Sequence, residues 1–567
     1  MAEFDLILRG GTIVDGSGAP RVRGDVGVRD GRVAAMGRLR PGDAARVIDA
    51  GGLVVAPGFV DLHTHYDAQL FWDPYCTLSG WHGVTSVVIG NCGFGFAPVA
   101  PEMRDRAMLT MTRVEAIPYE SMRLGLPWTW ETFPQFLDAI DATPKAVNIQ
   151  ALVGVANTMV TAMGLERAKA GVLPTDDEHR AMQRMLDDAM RAGAGGWSAQ
   201  RTSPDSGFNV QRDFDGTPMV TDVMHDETML AFSEVLAQHN AGFAEVTCVK
   251  ATQQASIDMV ERMAEVSGRP VLYNVIQCYD GHPEGHRFYL RWLQQCRERG
   301  LPVYGQGITT DAGFTFDFRD WNLFDESDLW AEATSGSFED KLHKLADPER
   351  RAQLRTTSPY VVVVPIPKIV VLSPKRPENE RFRNRTIGEI AKELGKHPVD
   401  AMLDLAVAED LETVFYGASP NDGHAYMDEL LADPYILCGV SDGGAHTKFT
   451  TTGRYPTEVL TFATRDKGWL TLEQAHWRLS GLPAHLAGFG DRGVLRIGAP
   501  ADIVLYDFDT LEVTPEEIVH DFPGGEWRRI QRARGYRHVL VNGVETITDD
   551  RTLDDPRPGR LLRHGAG

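Results

Sequence analysis

The stretch Pro57-Gly58-Phe59-Val60-Asp61-Leu62-His63-Thr64-His65 decides how this chain is read. An apolar run behind a Pro-Gly turn predicts a buried strand, and residues i and i+2 of a strand point the same way. His63 and His65 therefore leave one strand side by side. Two neutral imidazoles at the C-terminal end of a strand suit Zn²⁺ or a similar divalent ion, which takes nitrogen, sulfur or oxygen ligands. Downstream, strand-like apolar runs recur at 84–90, 147–153, 194–198, 242–247, 270–276, 302–308 and 436–442. Stretches such as 176–192 and 226–240 lie between them, with apolar residues at helical spacing. With 58–63 as the first strand, this alternation predicts an α/β fold, a (β/α)8 TIM-type barrel with its reaction centre at the C-terminal ends of the strands.

Near the other end of that region, Val440-Ser441-Asp442-Gly443-Gly444-Ala445-His446 is an apolar strand that ends in a carboxylate and flexible glycines. Strand eight of a closed barrel neighbours strand one, so Asp442 is placed to reach the ion and to take a proton from water. Its alternative role is to cap the next helix. On strand five, parity turns Ala244, Val246 and Cys248 toward the helices and Glu245 inward, as a ligand or as half of an ion pair. His282 and His286 lie in a loop at the catalytic face, where the reading is divided between a functional group and a solvated loop. His446, Lys448 and Arg454 follow Asp442 as candidates to hold an anionic substrate, with plain surface charge as the alternative. Tyr304 and Gln306 share one face of strand seven, as lining residues or as a packed polar layer. His82 precedes strand two and reads as structural.

The two chain ends have a different texture. Residues 1–57 alternate short β-rich runs with glycine turns, including the Asp30-Gly31 hairpin signal, and 486–567 repeat the pattern with Asn542-Gly543. Together they predict one small β-sandwich flanking a barrel at 58–485. An aromatic-rich insertion at about 311–358, carrying Phe314, Phe316, Phe318, Trp321, Phe324 and Trp330, reads as an ordered cover. The formal net charge of −22 over 567 residues argues against nucleic acid and anionic membranes as partners. No apolar run is long enough for a membrane span, and the six scattered cysteines form no disulfide framework. A soluble cytoplasmic protein acting on a small molecule is expected, with homo-oligomerisation left open.

The PGFVDLHTH strand, the GNCGF turn at 90–94, the SDG at 441–443 and the split terminal β region resemble the amidohydrolase superfamily, specifically the N-acyl-D-amino-acid deacylase (D-aminoacylase) family, over most of the chain. The resemblance implies zinc-dependent removal of acyl groups, with His63, His65 and Cys92 as metal ligands and Asp442 as general base. From the residues alone, Cys92 in its glycine turn either binds metal or simply packs. The family's histidines at the ends of strands five and six are absent, as is its lysine after strand six. The chain reads Phe243-Ala244-Glu245-Val246-Thr247-Cys248 and Tyr273-Asn274-Val275-Ile276-Gln277-Cys278 instead. A single ion is therefore expected rather than two, with an altered substrate. The reading is metal-assisted hydrolysis of an amide or similar acyl C–N bond. The alternatives are a metal-dependent lyase or decarboxylase on the same barrel, and a non-catalytic binding protein.

Overall fold

A computed structural model of the protein describes residues 2–206, 212–310, 313–319, 327–357, 360–361, 364–418 and 424–564. Its centre is a set of parallel strands in sequential order: β1 (Phe59–Asp61), β2 (Val84–Ile89), β3 (Asn148–Ala151, resumed at Val153–Gly154), β4 (Gly196–Thr202), β5 (Phe243–Val249), β6 (Val271–Ile276), β7 (Val303–Gly307) and β8 (Ile436–Cys438). β1 to β3 form one parallel sheet, and the Val153–Gly154 segment continues through β4 to β8 in a six-stranded one. Inward-pointing residues of many strands, among them Val60, Val88, Phe243, Leu272 and Leu437, pack into one apolar cluster. Tyr304 joins that cluster, and Gln306 donates to the carbonyl of Gly439 at 2.9 Å, so both serve packing. The helices Asp176–Ala192, Asp226–His239, Gln253–Ser267 and Glu284–Glu298 follow the strands, and each buries an apolar stripe.

Both chain ends enter a nine-stranded sheet, in which Val54–Pro57 pairs antiparallel with Ile503–Tyr506. The molecule is thus a mixed α/β protein with a second, β-rich unit. Asp30-Gly31 and Asn542-Gly543 turn the expected hairpins, with φ of 52° and 74° and of 48° and 83°. Such φ pairs are those of a tight turn whose twist matches the strands it joins.

Between β7 and β8 lies a unit with its own core, in which Phe314, Phe316, Phe318 and Trp330 pack against Ile390, Met402 and Phe415. Strand Phe314–Phe316 pairs with Val414–Gly417, which pairs with Val370–Ser373. Strand pairing and core therefore carry this unit beyond residue 358, to Gly417. Trp321 and Phe324 lie outside the described residues. All six cysteines are free and buried. Among the described residues no helix is long and apolar enough to cross a membrane.

Candidate metal centre

β1 ends at Asp61, and the chain runs straight on into His63 and His65, both about 1% exposed. The segment is clamped from both sides. Thr64 Oγ1 donates to the Val88 carbonyl at 2.7 Å, and the His65 amide donates to the Gly443 carbonyl at 2.6 Å. A parallel bridge joins Thr64 to Gly443, beyond the end of β8. Asp442 therefore sits in the loop after the strand, not at the strand's last position. Ser441 Oγ fixes that loop by donating to the His63 carbonyl at 2.8 Å and accepting from the Gly443 amide at 3.0 Å.

The side chains converge. Asp442 Oδ1 stands 3.2 Å from His63 Nε2 and 3.8 Å from His65 Nε2. Cys92 Sγ is 3.5 Å from the same His63 Nε2, and the potential ligand atoms of His63, His65 and Cys92 all lie within 4.8 Å of one another. Glu245, fully buried, accepts from the Cys92 amide at 3.0 Å and places its other oxygen 3.6 Å from His63 Nδ1. Its neighbours Ala244, Val246 and Cys248 are buried in the core outside the strands, in the orientation that parity gives.

One participant carries no motif. Glu115, the last residue of the helix Arg104–Glu115, brings Oε2 to 3.6 Å from His65 Nε2 and 3.5 Å from His446 Nε2. An acidic residue in the last helical turn opposes the helix dipole, and that is the one sequence signal able to single it out. His446 thus reaches the cluster. Lys448 pairs instead with Glu526 at 3.0 Å and lies over Trp527, and Arg454 pairs with Glu458 at 2.6 Å. His282 is exposed, and the buried His286 contacts Glu429 at 3.1 Å. His82 is held by Thr457 and the Gln531 carbonyl, as befits a structural residue.

The electrostatics fit a cation. Burial, with the negative charges of Glu245 and Glu115, pushes the Cys92 thiol well above its ordinary range. Burial, with Asp442, raises Glu115 to about 8, and Glu245 is raised as well, chiefly by burial. Burial opposes a charge on His63, but the hydrogen bond with Asp442 and the charge of Glu245 outweigh it and lift His63 to about 9. Burial and the His63 charge press His65 down to about 3. Burial raises Asp442 too, but the His63 hydrogen bond and the surrounding imidazoles hold it well below the usual carboxylate range. Among the described residues no lysine or arginine pairs with Glu115, Glu245 or Asp442. Nδ1 of both His63 and His65 is buried without a hydrogen-bond partner. A crowd of acids, a thiol and imidazoles with unused lone pairs is the donor set of a divalent ion.

The loops that carry the donors are strained. Cys92, Asp442 and His446 hold φ of 58°, 45° and 50°, a left-handed region that costs non-glycine residues free energy and clusters at functional sites. Gly90 opens the turn that presents Cys92, at φ of 80°, and a Cβ there would stand 2.3 Å from the Leu152 carbonyl oxygen. Gly90→Ala is expected to cost roughly 2–3 kcal/mol of stability, read as a lowered urea midpoint; an unchanged midpoint would contradict this packing.

One cavity adjoins the cluster, and a second is lined by residues near Cys92 and Glu115 in the chain. Asp442 lines a small one with Thr447, Thr451 and the buried Arg528 and Arg529. A larger cavity of about 290 Å³ opens beside Phe94 and Met111, with Met103, Val160 and Met219 in its wall.

The model of the Amidohydrolase family matches residues 46–547. The N-acyl-D-glutamate deacylase of Alcaligenes xylosoxydans xylosoxydans is 28% identical over 568 residues, covering 100% of this chain and 97% of that protein. The D-aminoacylase of the same organism is 27% identical over 567 residues, covering 99% and 98%. A crystal structure of the N-acyl-D-glutamate deacylase of Bordetella bronchiseptica, in complex with zinc and a phosphonate mimic of the tetrahedral intermediate, matches with a TM-score of 0.66 at 26% identity, covering 99% of this chain and 100% of that one.

Proposed function

The chain belongs to the Amidohydrolase family, and on that premise we propose that it hydrolyses the acyl C–N bond of a small N-acylated amino acid or a close analogue, at a metal centre held by His63, His65 and Cys92. It is a metal-dependent hydrolase acting on carbon–nitrogen bonds other than peptide bonds. The observation that carries the reading is the convergence of two imidazoles, a thiol and an anionic Asp442 beyond the end of β1. The Thr64–Gly443 bridge supports closure of the parallel strands into a (β/α)8 barrel, with the chain-end sheet as a separate unit. One divalent ion, zinc in our reading, fits the donor set; when bound it polarises the acyl carbonyl and the attacking water.

The protein's own groups do the rest. Asp442, with its side chain one-third exposed and held anionic, lines the small cavity and accepts a proton from water as the water oxygen bonds to the acyl carbon. The C–N bond then breaks, and the proton passes from Asp442 to the leaving nitrogen, giving a free amine and a carboxylic acid that ionises in solution. His63, hydrogen-bonded to Asp442, fixes the direction of that carboxylate.

The test is product analysis over a panel of N-acetyl-D- and N-acetyl-L-amino acids and their cyclic amide analogues. The expected result is amine and carboxylate in equal amounts from at least one series. Carbon dioxide release without free amine would favour a decarboxylase on the same strands, and no turnover of any member by metal-loaded protein would count against the substrate class.

A further inference from the structure

Glu115 lies outside the parallel strands, yet its side chain is 5% exposed and directed at the imidazoles. Two features of the backbone bring it there. The His446 amide donates to the Glu115 carbonyl at 2.6 Å, which ties the helix end to the loop that carries Asp442. Ala116, at φ of 51°, turns the chain away immediately afterwards, so that the helix stops with its last side chain in the cluster. A buried carboxylate with no lysine or arginine partner is costly unless a cation is shared with it.

The spacings indicate what is shared. Donors bound to one ion at about 2.0–2.3 Å stand about 3.0–3.6 Å apart along the edges of a tetrahedron or octahedron. Hydrogen bonds between nitrogen and oxygen are shorter, with a mode of about 2.9–3.0 Å. Glu115 Oε2 is 3.6 Å from His65 Nε2, Asp442 Oδ1 is 3.2 Å from His63 Nε2, and Cys92 Sγ is 3.5 Å from His63 Nε2. The Glu115–His65 separation is thus wider than a nitrogen–oxygen hydrogen bond and is the spacing of two donors on one ion. The other ring nitrogen of His65, Nδ1, is buried without a hydrogen-bond partner among the described residues.

We propose that Glu115 is itself a ligand of this ion, donating Oε2 from the end of the helix Arg104–Glu115. The inference rests on the metal centre proposed above and adds an oxygen donor to two imidazoles and a thiolate. A carboxylate also widens the range of ions accepted toward cobalt and manganese, which take oxygen ligands readily.

The 567-residue chain, made metal-free by dialysis against a chelator, is titrated with Zn²⁺ in competition with a chromophoric chelator, and separately with Co²⁺ as a spectroscopic probe. Wild type is compared with Glu115→Gln and His63→Ala. Glu115→Gln is expected to weaken Zn²⁺ binding by on the order of 100-fold or more, beyond the effect of losing a group that merely orients a ligand. It should also change the cobalt d–d bands while the Cys92 thiolate-to-cobalt band persists. Unchanged cobalt bands, with affinity within about tenfold of wild type, would overturn the role of Glu115 while leaving the centre intact, provided His63→Ala loses the ion. Failure of wild type to bind, or normal binding by His63→Ala, would overturn the centre and this inference with it. Thermal melting of the metal-free forms checks folding. If the glutamine variant does not fold, Glu115→Asp, one methylene shorter, is expected to bind with intermediate affinity and altered cobalt bands, and wild-type behaviour would count against the assignment.

Discussion

Asp442→Asn is expected to lower kcat by on the order of 10²–10⁴-fold at equal metal occupancy, the usual worth of a positioned general base. Asparagine keeps the size and shape of the side chain and the Ser441-anchored loop around it, but it cannot accept the proton that leaves water. The effect belongs in kcat, because the group acts as the proton moves and not as the substrate arrives. Occupancy is read by elemental analysis of each preparation, since Asp442 Oδ1 also approaches His63 and His65. A fall of less than about tenfold in fully loaded protein would remove Asp442 from the role of base and leave it an anchor for His63. Rescue of the variant by a small exogenous carboxylate would support the proton-transfer role directly.

How much of this centre is legible in the chain depends on the distance over which each residue is specified. The orientation of His63 and His65 follows from strand parity within a few residues, and so does that of Glu245 on β5. The seam near Asp442 is non-local: it depends on Thr64 meeting Gly443 beyond the end of β8, so the aspartate comes from a loop where an apolar run suggests a strand. Glu115 is the hardest case. Its arrival depends on the packing of one helix end against the His446 loop and on the left-handed Ala116, neither of which has a sequence pattern. Lys448 and Arg454 show the converse, because closeness along the chain to Asp442 does not decide which carboxylate each cation meets. Glu526 and Glu458 meet them instead. The same limit applies to the unit between β7 and β8. Its helices Ile387–Leu394 and Pro398–Ala408 and its strand Val414–Gly417 have the texture of another βα unit, and only pairing with Phe314–Phe316 assigns them to a second core.

His63→Ala should have the larger consequence, because this ring touches three other components: Asp442 and Cys92 at Nε2 and Glu245 at Nδ1. Without it, the buried acids and the thiol lose the imidazole that balances them and the ion loses a ligand. Protein purified from metal-replete medium is expected to contain close to one ion per chain in wild type and little in the variant, with turnover reduced by at least about 10³-fold, comparable to removal of a group central to the chemistry. Stability provides an independent reading. An ion bound to the folded state at 1,000 times its dissociation constant stabilises it by about 4 kcal/mol, so added zinc should raise the Tm of chelator-treated wild type and leave that of His63→Ala nearly unmoved. The two measurements separate two failures. A variant that loses activity but still shows the zinc-dependent rise in Tm would place the ion away from this cluster; a wild type whose Tm and activity both ignore zinc would mean that the buried acids and imidazoles neutralise one another by proton sharing alone.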